Sequence, residues 1–394
     1  MKIFKGGTLP RKWWMGAVSL AMACCLVLTA FPAAGPADAE PVVITEDTNE
    51  GGTPQVVSAY VFDRGSSVKL RDEDAAYINQ MNYSFALIRD GKVSGSHWKA
   101  IKTFQKYISK HPNILPVVAV GGWGADGFSQ AASTEKNRET FVKSAIELMD
   151  EYGFLGIDID WEYPGSSAAG IKSSNDDPEN LILLLIDLRV ALDAKTAEDG
   201  KRRLLSIAVG GGKQYADALD SLLIGTLVDQ VNVMTYDMQG FAKVTGHHTA
   251  LYPREDEGSA GAAAAMDAFS QAGIPREKLM MGAAFYGRAW RKVLSDENDG
   301  LGQVAGTTGN KTYGYSAILG LLDKGSYTRN WDDEAMAPYL FNGSTFISYE
   351  DPESITAKGE FARETGLMGV MFWEYGLDKT GTLVKTLYSA MNGV

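Results

Sequence analysis

The chain contains very little cysteine and histidine. Among its 394 residues, two are cysteine and four are histidine. Cys24 and Cys25 both lie in an apolar segment near the N-terminus, so the remainder of the chain has no disulfide and no thiol nucleophile. His247 and His248 are adjacent, and none of the four histidines has the spacing of a zinc-binding helix. We therefore expect no histidine-based metal site, and we interpret this histidine pair as loop residues.

Positive charge is also scarce. The chain has 37 lysine and arginine residues against 49 aspartate and glutamate residues, which gives a formal net charge of -12. It contains no basic tract of the kind that binds phosphate backbones or anionic lipid. We therefore expect no nucleic-acid partner.

Residues 1–39 have the layout of a secretory signal peptide. A positively charged start precedes an apolar run at 13–31, and the small-residue stretch ends in Ala37–Ala39, an A-x-A cleavage site. The alternative is an uncleaved membrane anchor, because the run approaches the ~17 residues that can span a bilayer. Pro32 and the cleavage site favour removal. We expect a secreted protein, extracellular or associated with the cell wall, with no stable membrane span after cleavage.

Short apolar segments recur along the rest of the chain. Residues 40–55 are acidic and contain glycine and proline, which predicts a flexible lead-in. Beyond them, apolar runs rich in β-branched residues alternate with longer amphipathic stretches, the pattern of right-handed β-α units. Eight such units predict a closed (β/α)8 TIM barrel. The predicted strands are Val56–Asp63, Tyr83–Ile88, Ile114–Trp123, Phe154–Tyr163, Leu204–Gly210, Val231–Asp237, Leu279–Gly287 and Leu367–Tyr375.

The stretch between the seventh and eighth predicted strands is too long for a loop. Residues 289–349 hold glycines, aromatics and a weak helical pattern at Ser316–Leu322. Unstructured loops of that length are uncommon in compact domains. We predict a small α+β insertion there, so that the barrel consists of residues 56–288 and 350–394.

Two long helices are well marked in the sequence. Glu135–Tyr152 and Pro178–Ala197 both have the amphipathic spacing of α-helices. Asp177 precedes Pro178, and we interpret this pair as an N-cap followed by proline in the first turn.

The segment "FLGIDIDWEYPG", residues 154–165, carries three carboxylates at alternate positions. On a strand, Asp158, Asp160 and Glu162 share one face, which points into the barrel. Burying even one unpaired carboxylate costs several kcal/mol, so a purely structural role is implausible. A divalent cation is one explanation. The other is a shared proton, which makes Glu162, at the carboxyl end of the strand, a general acid for glycoside hydrolysis.

These residues resemble the signature of family 18 glycoside hydrolases, the retaining chitinases. The resemblance extends in order from about Val56 to the C-terminus. Further matching segments are "VGGW" at 120–123, "MTYD" at 234–237, "LMMGAAFYGRAW" at 279–290, "GVMFWEYGLD" at 369–378 and, at the exit of the family's α+β insertion, "FISYEDPESI" at 346–355.

The resemblance implies a substrate-assisted mechanism. Glu162 would protonate the glycosidic oxygen, and the N-acetyl carbonyl of the substrate would attack its own anomeric carbon. Asp160 would assist Glu162 and the acetamido group, with Asp158 beneath it as a charge partner. Tyr236 would hold the acetamido oxygen. The mechanism needs neither metal nor cofactor.

The resemblance also implies a set of substrate-binding residues. Trp373 would form the floor under the sugar in the -1 subsite, and Asp237 and Arg288 would line the groove. The remaining residues that the matched motifs place at the substrate are Met234, Tyr286, Trp123, Gly122 and, under Asp158, Tyr60. Trp290 and Trp331 are candidates for flanking subsites.

The chain departs from the family pattern at two positions. Ala119 replaces the serine that hydrogen-bonds the lower aspartate, and Leu155 replaces the first aspartate of the signature. A lost hydroxyl donor costs about 1–3 kcal/mol if its buried partner is left unsatisfied. We therefore expect a shifted pH optimum or lower activity, and only a packing effect from Leu155.

The expected substrate is chitin or another polysaccharide containing N-acetylglucosamine, hydrolysed by a monomer. Peptidoglycan, as in spore-cortex enzymes, and the N-glycan core are alternatives within the same fold. A binding-only, lectin-like barrel is a third, which the presence of Asp158, Asp160, Glu162 and Tyr236 disfavours. A metal-dependent hydrolase is a fourth, which chelator-insensitive activity would exclude.

Overall fold

The computed structural model describes residues 55–65, 68–254 and 260–394. The predicted signal peptide and all of the acidic lead-in except Gln55 lie outside these residues. Within the described part of the chain, no helix is both long and apolar enough to cross a membrane.

Eight parallel strands close into a barrel, which confirms the predicted (β/α)8 fold. Their order around the barrel is β1-β2-β4-β5-β6-β7-β8-β14, and β1 pairs in parallel with both β2 and β14 to close the ring. β3 forms an antiparallel hairpin with β2. The barrel strands and this hairpin strand are β1 Val56–Phe62, β2 Gln80–Arg89, β3 Lys92–Ser94, β4 Leu115–Gly121, β5 Gly156–Asp160, β6 Leu204–Gly210, β7 Gln230–Met234, β8 Leu279–Ala284 and β14 Gly369–Trp373.

Helices follow the strands along the chain. Their bounds are α1 Ile101–Lys110, α2 Phe128–Ala132, α3 Glu135–Tyr152, α4 Asp177–Asp199, α5 Lys213–Ala218, α6 Ser221–Leu227, α7 Ala262–Gln271, α8 Tyr315–Leu322, α9 Pro352–Glu364 and α10 Thr382–Asn392. Short 3-10 turns occur at Asp72–Ala76, Arg276–Lys278, Glu297–Gly300 and Tyr375–Leu377.

The predicted N-cap at Asp177 is wrong by one residue. Asp176 is the N-cap of α4, and Asp177 is the first helical residue. The side chain of Asp177 is buried and accepts hydrogen bonds from Ser129 Oγ at 2.7 Å and from the backbone N–H of Ser174 at 2.8 Å. It therefore ties the loop that follows β5 to α2.

Strand β5, which carries Asp158 and Asp160, alternates between side chains that face the helices and side chains that face the barrel interior, as its sequence predicts. Ile157 and Ile159 are buried in the main core between barrel and helices. Just after the strand, the Trp161 ring stacks on Phe128 of α2, with centroids 5.2 Å apart and planes 9° from parallel. The intervening residues Asp158 and Asp160 therefore face the barrel interior.

The insertion between β8 and β14 is built on a five-stranded antiparallel sheet with α8. The strand order is β10-β9-β13-β12-β11. The strands are β9 Tyr286–Arg291, β10 Lys311–Gly314, β11 Thr328–Asp332, β12 Ala337–Phe341 and β13 Thr345–Ser348. Its first strand begins three residues before the boundary predicted at residue 289, and that strand carries two of the predicted site residues, Tyr286 and Arg288.

The two faces of this sheet belong to different cores. Ala289, Leu340 and Ile347 join the core of the barrel. Their neighbours on the opposite face, among them Trp290 and Phe346, form a separate apolar cluster. Trp290 is fully buried there, so its interpretation as a sugar-binding residue is wrong, because the period-two alternation of β9 turns its ring away from solvent.

Candidate active site

Asp158 forms the lower end of the carboxylate row. It is completely buried and accepts hydrogen bonds from Tyr60 Oη at 2.7 Å, Ser206 Oγ at 2.6 Å and Asn232 Nδ2 at 3.0 Å. Burial raises the pKa of Asp158, and these hydrogen bonds oppose that shift. The contacts fix the carboxylate in a single orientation beneath Asp160.

Asp160 is the buried middle member of the row. Its Oδ1 has no hydrogen-bond partner among the described residues. Burial, reinforced by the charges of Glu162 and Asp158, raises the pKa of Asp160 well above its ordinary value. The same surroundings therefore disfavour a full negative charge on both Asp160 and its neighbours, so these carboxyl groups titrate as one coupled set.

Glu162 lies two residues beyond the end of β5, at the mouth of the barrel. Burial raises the pKa of Glu162 to about 7; a hydrogen bond from Tyr163 opposes this shift and the charge of Asp237 adds to it. A pKa close to neutral pH lets one carboxyl group both donate and accept a proton.

Tyr236 follows β7 and faces the same interior. Burial raises the pKa of Tyr236 well above its ordinary value, and the nearby charges of Asp160 and Glu162 add to the shift. Its hydroxyl lies 3.9 Å from Met371 Sδ, and its ring centroid lies 6.2 Å from that of Tyr286. The phenol therefore stays protonated as a hydrogen-bond donor beside the carboxylates.

Asp237 adds an ionised carboxylate to the site. Its Oδ1 accepts hydrogen bonds from Tyr286 Oη at 2.7 Å and from Arg288 Nε. Burial would raise the pKa of Asp237, but its contacts with His248 and Arg288 outweigh burial and hold the pKa below the usual range. The backbone at Asp237 is left-handed, with φ +57°, which aspartate tolerates better than most residues.

His248 supports Asp237 from behind, a contact that the loop interpretation missed. The imidazole is fully buried, with Nδ1 3.4 Å from the backbone N of Asp237 and Nε2 3.3 Å from the carbonyl oxygen of Tyr286. Nδ1 also lies 3.5 Å from Asp237 Oδ1. The partners of His248 lie 11 and 38 positions away, so the sequence alone does not reveal these contacts.

Trp373 ends β14 and lies in a cluster of aromatic rings at the barrel mouth. Its ring stacks on Phe85 at 5.4 Å and 18°, and its centroid lies 5.8 Å from Tyr60 and 5.7 Å from Phe62. Trp373 and Tyr236 both pack against the cluster of Tyr60, Met234 and Met371 inside the barrel. The structure thus brings the carboxylates, the phenol and the indole into one interior.

Comparison with known proteins agrees with this geometry. The family model described as glycosyl hydrolases family 18 matches residues 56–378. The chain belongs to glycosyl hydrolase family 18.

Several relatives of this family 18 protein have chitinase names. Chitinase A1 of Niallia circulans is 35% identical over 349 residues, which cover 80% of this chain and 50% of that protein. The chain thus spans half the length of Chitinase A1. The solved structure of a family 18 N-acetylglucosaminidase from Paenibacillus barengoltzii superposes with a TM-score of 0.82 at 39% identity, covering 86% of this chain and 100% of that chain.

A protein described as a lectin is also similar. The chitinase-like agglutinin from Robinia pseudoacacia superposes with a TM-score of 0.74 at 28% identity, covering 85% of this chain and 99% of that chain. Family 18 thus includes, among the proteins similar to this chain, some with chitinase names and one described as an agglutinin.

Ala119 stands where the family 18 pattern has a serine, but Asp158 still has hydrogen-bond donors in this chain. Ala119 on β4 is the register neighbour of Asp158 on one side, and Ser206 on β6 is its neighbour on the other. Tyr60, Ser206 and Asn232 supply donors, so Asp158 is not left unsatisfied and the cost attached to that condition does not apply. The expected effect on the pH optimum or the activity stays a prediction. Sequence reasoning missed Ser206 and Asn232, although each is a polar residue within an apolar strand. Leu155 is half-buried below the site.

The loop after β4 approaches the carboxylate strand closely. The backbone N–H of Gly122 donates to the Asp160 carbonyl at 2.9 Å. Gly122 has φ +89°, and a Cβ there would lie 2.6 Å from the Phe85 ring, so only glycine fits. Next to it, Trp123 is 60% exposed, with its ring centroid 6.4 Å from Tyr163. Its indole is therefore open to a ligand, whereas Trp331 lies on β11 beneath Arg329.

The described residues contain no cluster of three or more histidine, cysteine, aspartate or glutamate side chains arranged to hold a metal ion. The expectation of metal-independent chemistry remains a prediction.

Proposed function

We propose that this chain is an exported glycoside hydrolase that cleaves β-1,4-linked N-acetylglucosamine polymers, most simply chitin, with retention of configuration. The observation that carries the proposal is the row of Asp158, Asp160 and Glu162, whose outermost carboxyl has a pKa of about 7. Export is supported by the signal-peptide pattern of residues 1–39.

Each member of the site has a role in this chemistry. Glu162 protonates the departing glycosidic oxygen while the substrate's own acetamido oxygen attacks the anomeric carbon. Tyr236 donates to that acetamido oxygen, and Asp160 supports the acetamido N–H as positive charge develops. Glu162, now ionised, then accepts a proton from the water that opens the intermediate on the same face.

The sugar itself is held by polar and aromatic groups around the barrel mouth. Trp373 offers an indole face for the C–H face of a pyranose ring. Asp237, kept ionised, and Arg288 beside it suit hydroxyl groups of the chain. The chitinase and N-acetylglucosaminidase names of similar proteins support an N-acetylglucosamine polymer as substrate.

Two alternatives stay open. One is a different N-acetylglucosamine polymer, such as peptidoglycan or the N-glycan core, within the same chemistry. The other is sugar binding with little turnover, which the similarity to the agglutinin from Robinia pseudoacacia favours.

The test compares the wild-type protein with Glu162→Gln on chitin oligomers and on peptidoglycan sacculi, with products read by mass spectrometry and anomeric configuration by NMR. Glu139→Gln, an exposed carboxylate on α3, is the matched control. We expect oligomer cleavage with retention in the wild type and the control, and a loss of at least ~100-fold in Glu162→Gln. Binding without Glu162-dependent cleavage would contradict the proposal and identify a lectin.

A further inference from the structure

A second cavity lies beside the aromatic cluster, where β1 and β14 end. Its volume is about 360 Å³, and its lining includes Phe62, Arg64, Lys69 and Lys379. Phe62 is shared with the active site, since its ring centroid is 5.7 Å from that of Trp373. A glycan on Trp373 therefore has the cavity next to it.

Four basic side chains, those of Arg64, Lys69, Arg71 and Lys379, line this cavity, although the chain has a net charge of -12. Two carboxylates also line it, but both are buried and occupied. Glu374 accepts from Arg64 Nη2 at 2.5 Å and from the Gly376 N–H at 3.0 Å. Asp378 accepts from the N–H groups of Thr380 and Leu383. These donors offset part of the negative charge that the two carboxylates contribute to the lining.

Of the basic side chains in the lining, Arg71 is also occupied. It donates to both carboxylate oxygens of Asp74 and to the Lys379 carbonyl. Lys69 and Lys379 are exposed, and Arg64 is exposed as well although its Nη2 is paired with Glu374. Two lysines and the open edge of a paired guanidinium suit an anionic group better than a neutral sugar.

Arg64 is held in place for such a contact. Its guanidinium lies 5.3 Å from the centroid of the Phe62 ring, and its Nη2 donates a hydrogen bond to the buried Glu374. The side chain is nevertheless 52% exposed, so N–H groups remain open to the cavity. A guanidinium fixed in this way binds a carboxylate with little further loss of side-chain freedom.

We propose that this cavity binds a carboxylate carried by the sugar next to the N-acetylglucosamine on Trp373. The proposal rests on the function proposed above and extends its substrates from neutral chitin to acidic glycans. Peptidoglycan has this chemistry, because N-acetylglucosamine alternates there with a muramic acid unit that bears a lactyl carboxylate and a peptide. Chitin has no such group, so the cavity discriminates between the two polymers.

The experiment measures kcat and KM on three substrates: a chitin hexamer, peptidoglycan strands stripped of peptide, and the same strands with methyl-esterified lactyl groups. Arg64→Gln and Lys379→Gln are compared with Arg202→Gln, an 82% exposed arginine outside the cavity that removes the same charge. On the acidic strands we expect KM to rise about tenfold in Arg64→Gln and about threefold in Lys379→Gln. On the hexamer and the esterified strands, KM should change less than about twofold, and 0.5 M salt should reduce the difference.

The outcomes separate the two proposals. An equal change of KM on chitin and on acidic strands in Arg64→Gln would overturn the inference and leave hydrolysis intact. An equal change of KM on the acidic and the esterified strands would overturn it as well, because the carboxylate would then play no part in the contact. If the wild type cleaves nothing, the proposed function fails; the inference is then decided by whether acidic strands bind more weakly to Arg64→Gln.

Discussion

At the scale of single residues, the surroundings of Asp158 are the most informative part of the site. Ser206 donates to Asp158 from one neighbouring strand, while Ala119 occupies the matching position on the other neighbour. Both side chains point into the barrel, so a hydroxyl on either strand reaches the same carboxylate. Asp158 therefore has a hydroxyl donor on β6 although the matching position on β4 has none.

This arrangement predicts a rescue. Ser206→Ala leaves one buried Asp158 oxygen with fewer donors, and we expect the free energy of unfolding to fall by about 1–3 kcal/mol. Ala119→Ser alone should change it by less than about 0.5 kcal/mol, whereas Ala119→Ser combined with Ser206→Ala should recover at least half of the loss. Urea unfolding of the four proteins measures these values. If the changes in the free energy of unfolding caused by Ala119→Ser and Ser206→Ala were strictly additive, hydroxyl groups at the two positions would not bind the same Asp158 oxygen.

The pKa of Glu162 predicts the pH dependence of hydrolysis. Because Glu162 must be protonated to act as the acid and its pKa is raised to about 7, kcat/KM should fall as pH rises above that value. Burial is the main cause of the raised pKa, and the charge of Asp237 adds to it. Asp237→Asn removes that charge and leaves Arg288 unpaired, so the basic limb of the profile should shift to lower pH.

The check is a pH series of kcat/KM on a chitin oligomer, with Asp193→Asn on the exposed face of α4 as control. The control should keep the wild-type limb. If the basic limb of the profile has the same position in Asp237→Asn as in the wild type, the charge of Asp237 does not contribute to the pKa of Glu162.

At the scale of elements, the sequence predicts the barrel strands better than their contacts. The predicted strand 154–163 contains β5, but the ladder ends at Asp160, because beyond it Trp161 packs on α2. Alternation along one strand reveals which side chains face inward. It does not reveal that Ser206 and Asn232, 48 and 74 residues away, reach Asp158, because that depends on the closure of the barrel.

A buried ion pair connects the insertion to the site, and no sequence pattern pointed to it. Lys358 on α9 is fully buried and donates to Glu350 Oε1 at 2.5 Å and to Thr249 Oγ1 at 2.8 Å. Thr249 Oγ1 in turn donates to the Thr235 carbonyl at 3.1 Å, directly before Tyr236. The segment that carries Tyr236 and the segment that leaves the insertion are therefore braced against each other.

Removing one partner of this pair should be costly. Lys358→Met leaves Glu350 buried and unpaired, and we expect the free energy of unfolding to fall by about 3–5 kcal/mol. Lys358→Met combined with Glu350→Gln should recover most of that loss, because no uncompensated charge remains. Lys385→Met, exposed on α10, is the control and should change the value by less than about 0.5 kcal/mol. Urea unfolding measures the free energy of unfolding of these variants. A double variant that is as unstable as Lys358→Met would show that the unpaired charge of Glu350 is not the cause of the loss.

At the scale of the whole molecule, the insertion is not an independent body. The described residues, from 55 onward, belong to one compact unit. One face of the insertion sheet, through Leu340 and Ile347, is part of the barrel core, and only the opposite face has a cluster of its own. Asp237, on the barrel, is held by Tyr286 and Arg288 of the insertion's first strand, so the site itself spans the two parts.

A shared core predicts shared unfolding. The barrel and the insertion should unfold in a single transition, with the same midpoint by tryptophan fluorescence and by far-ultraviolet circular dichroism. Leu340→Ala, on the face that joins the barrel, should lower the midpoint of both signals together, with a loss of about 2–5 kcal/mol. Phe346→Ala, on the opposite face, should also move both signals, because its strand pairs with β9. If Phe346→Ala instead split the transition, with fluorescence changing first, the insertion would have a stability of its own. Asp237 would then lose its partners before the barrel unfolds.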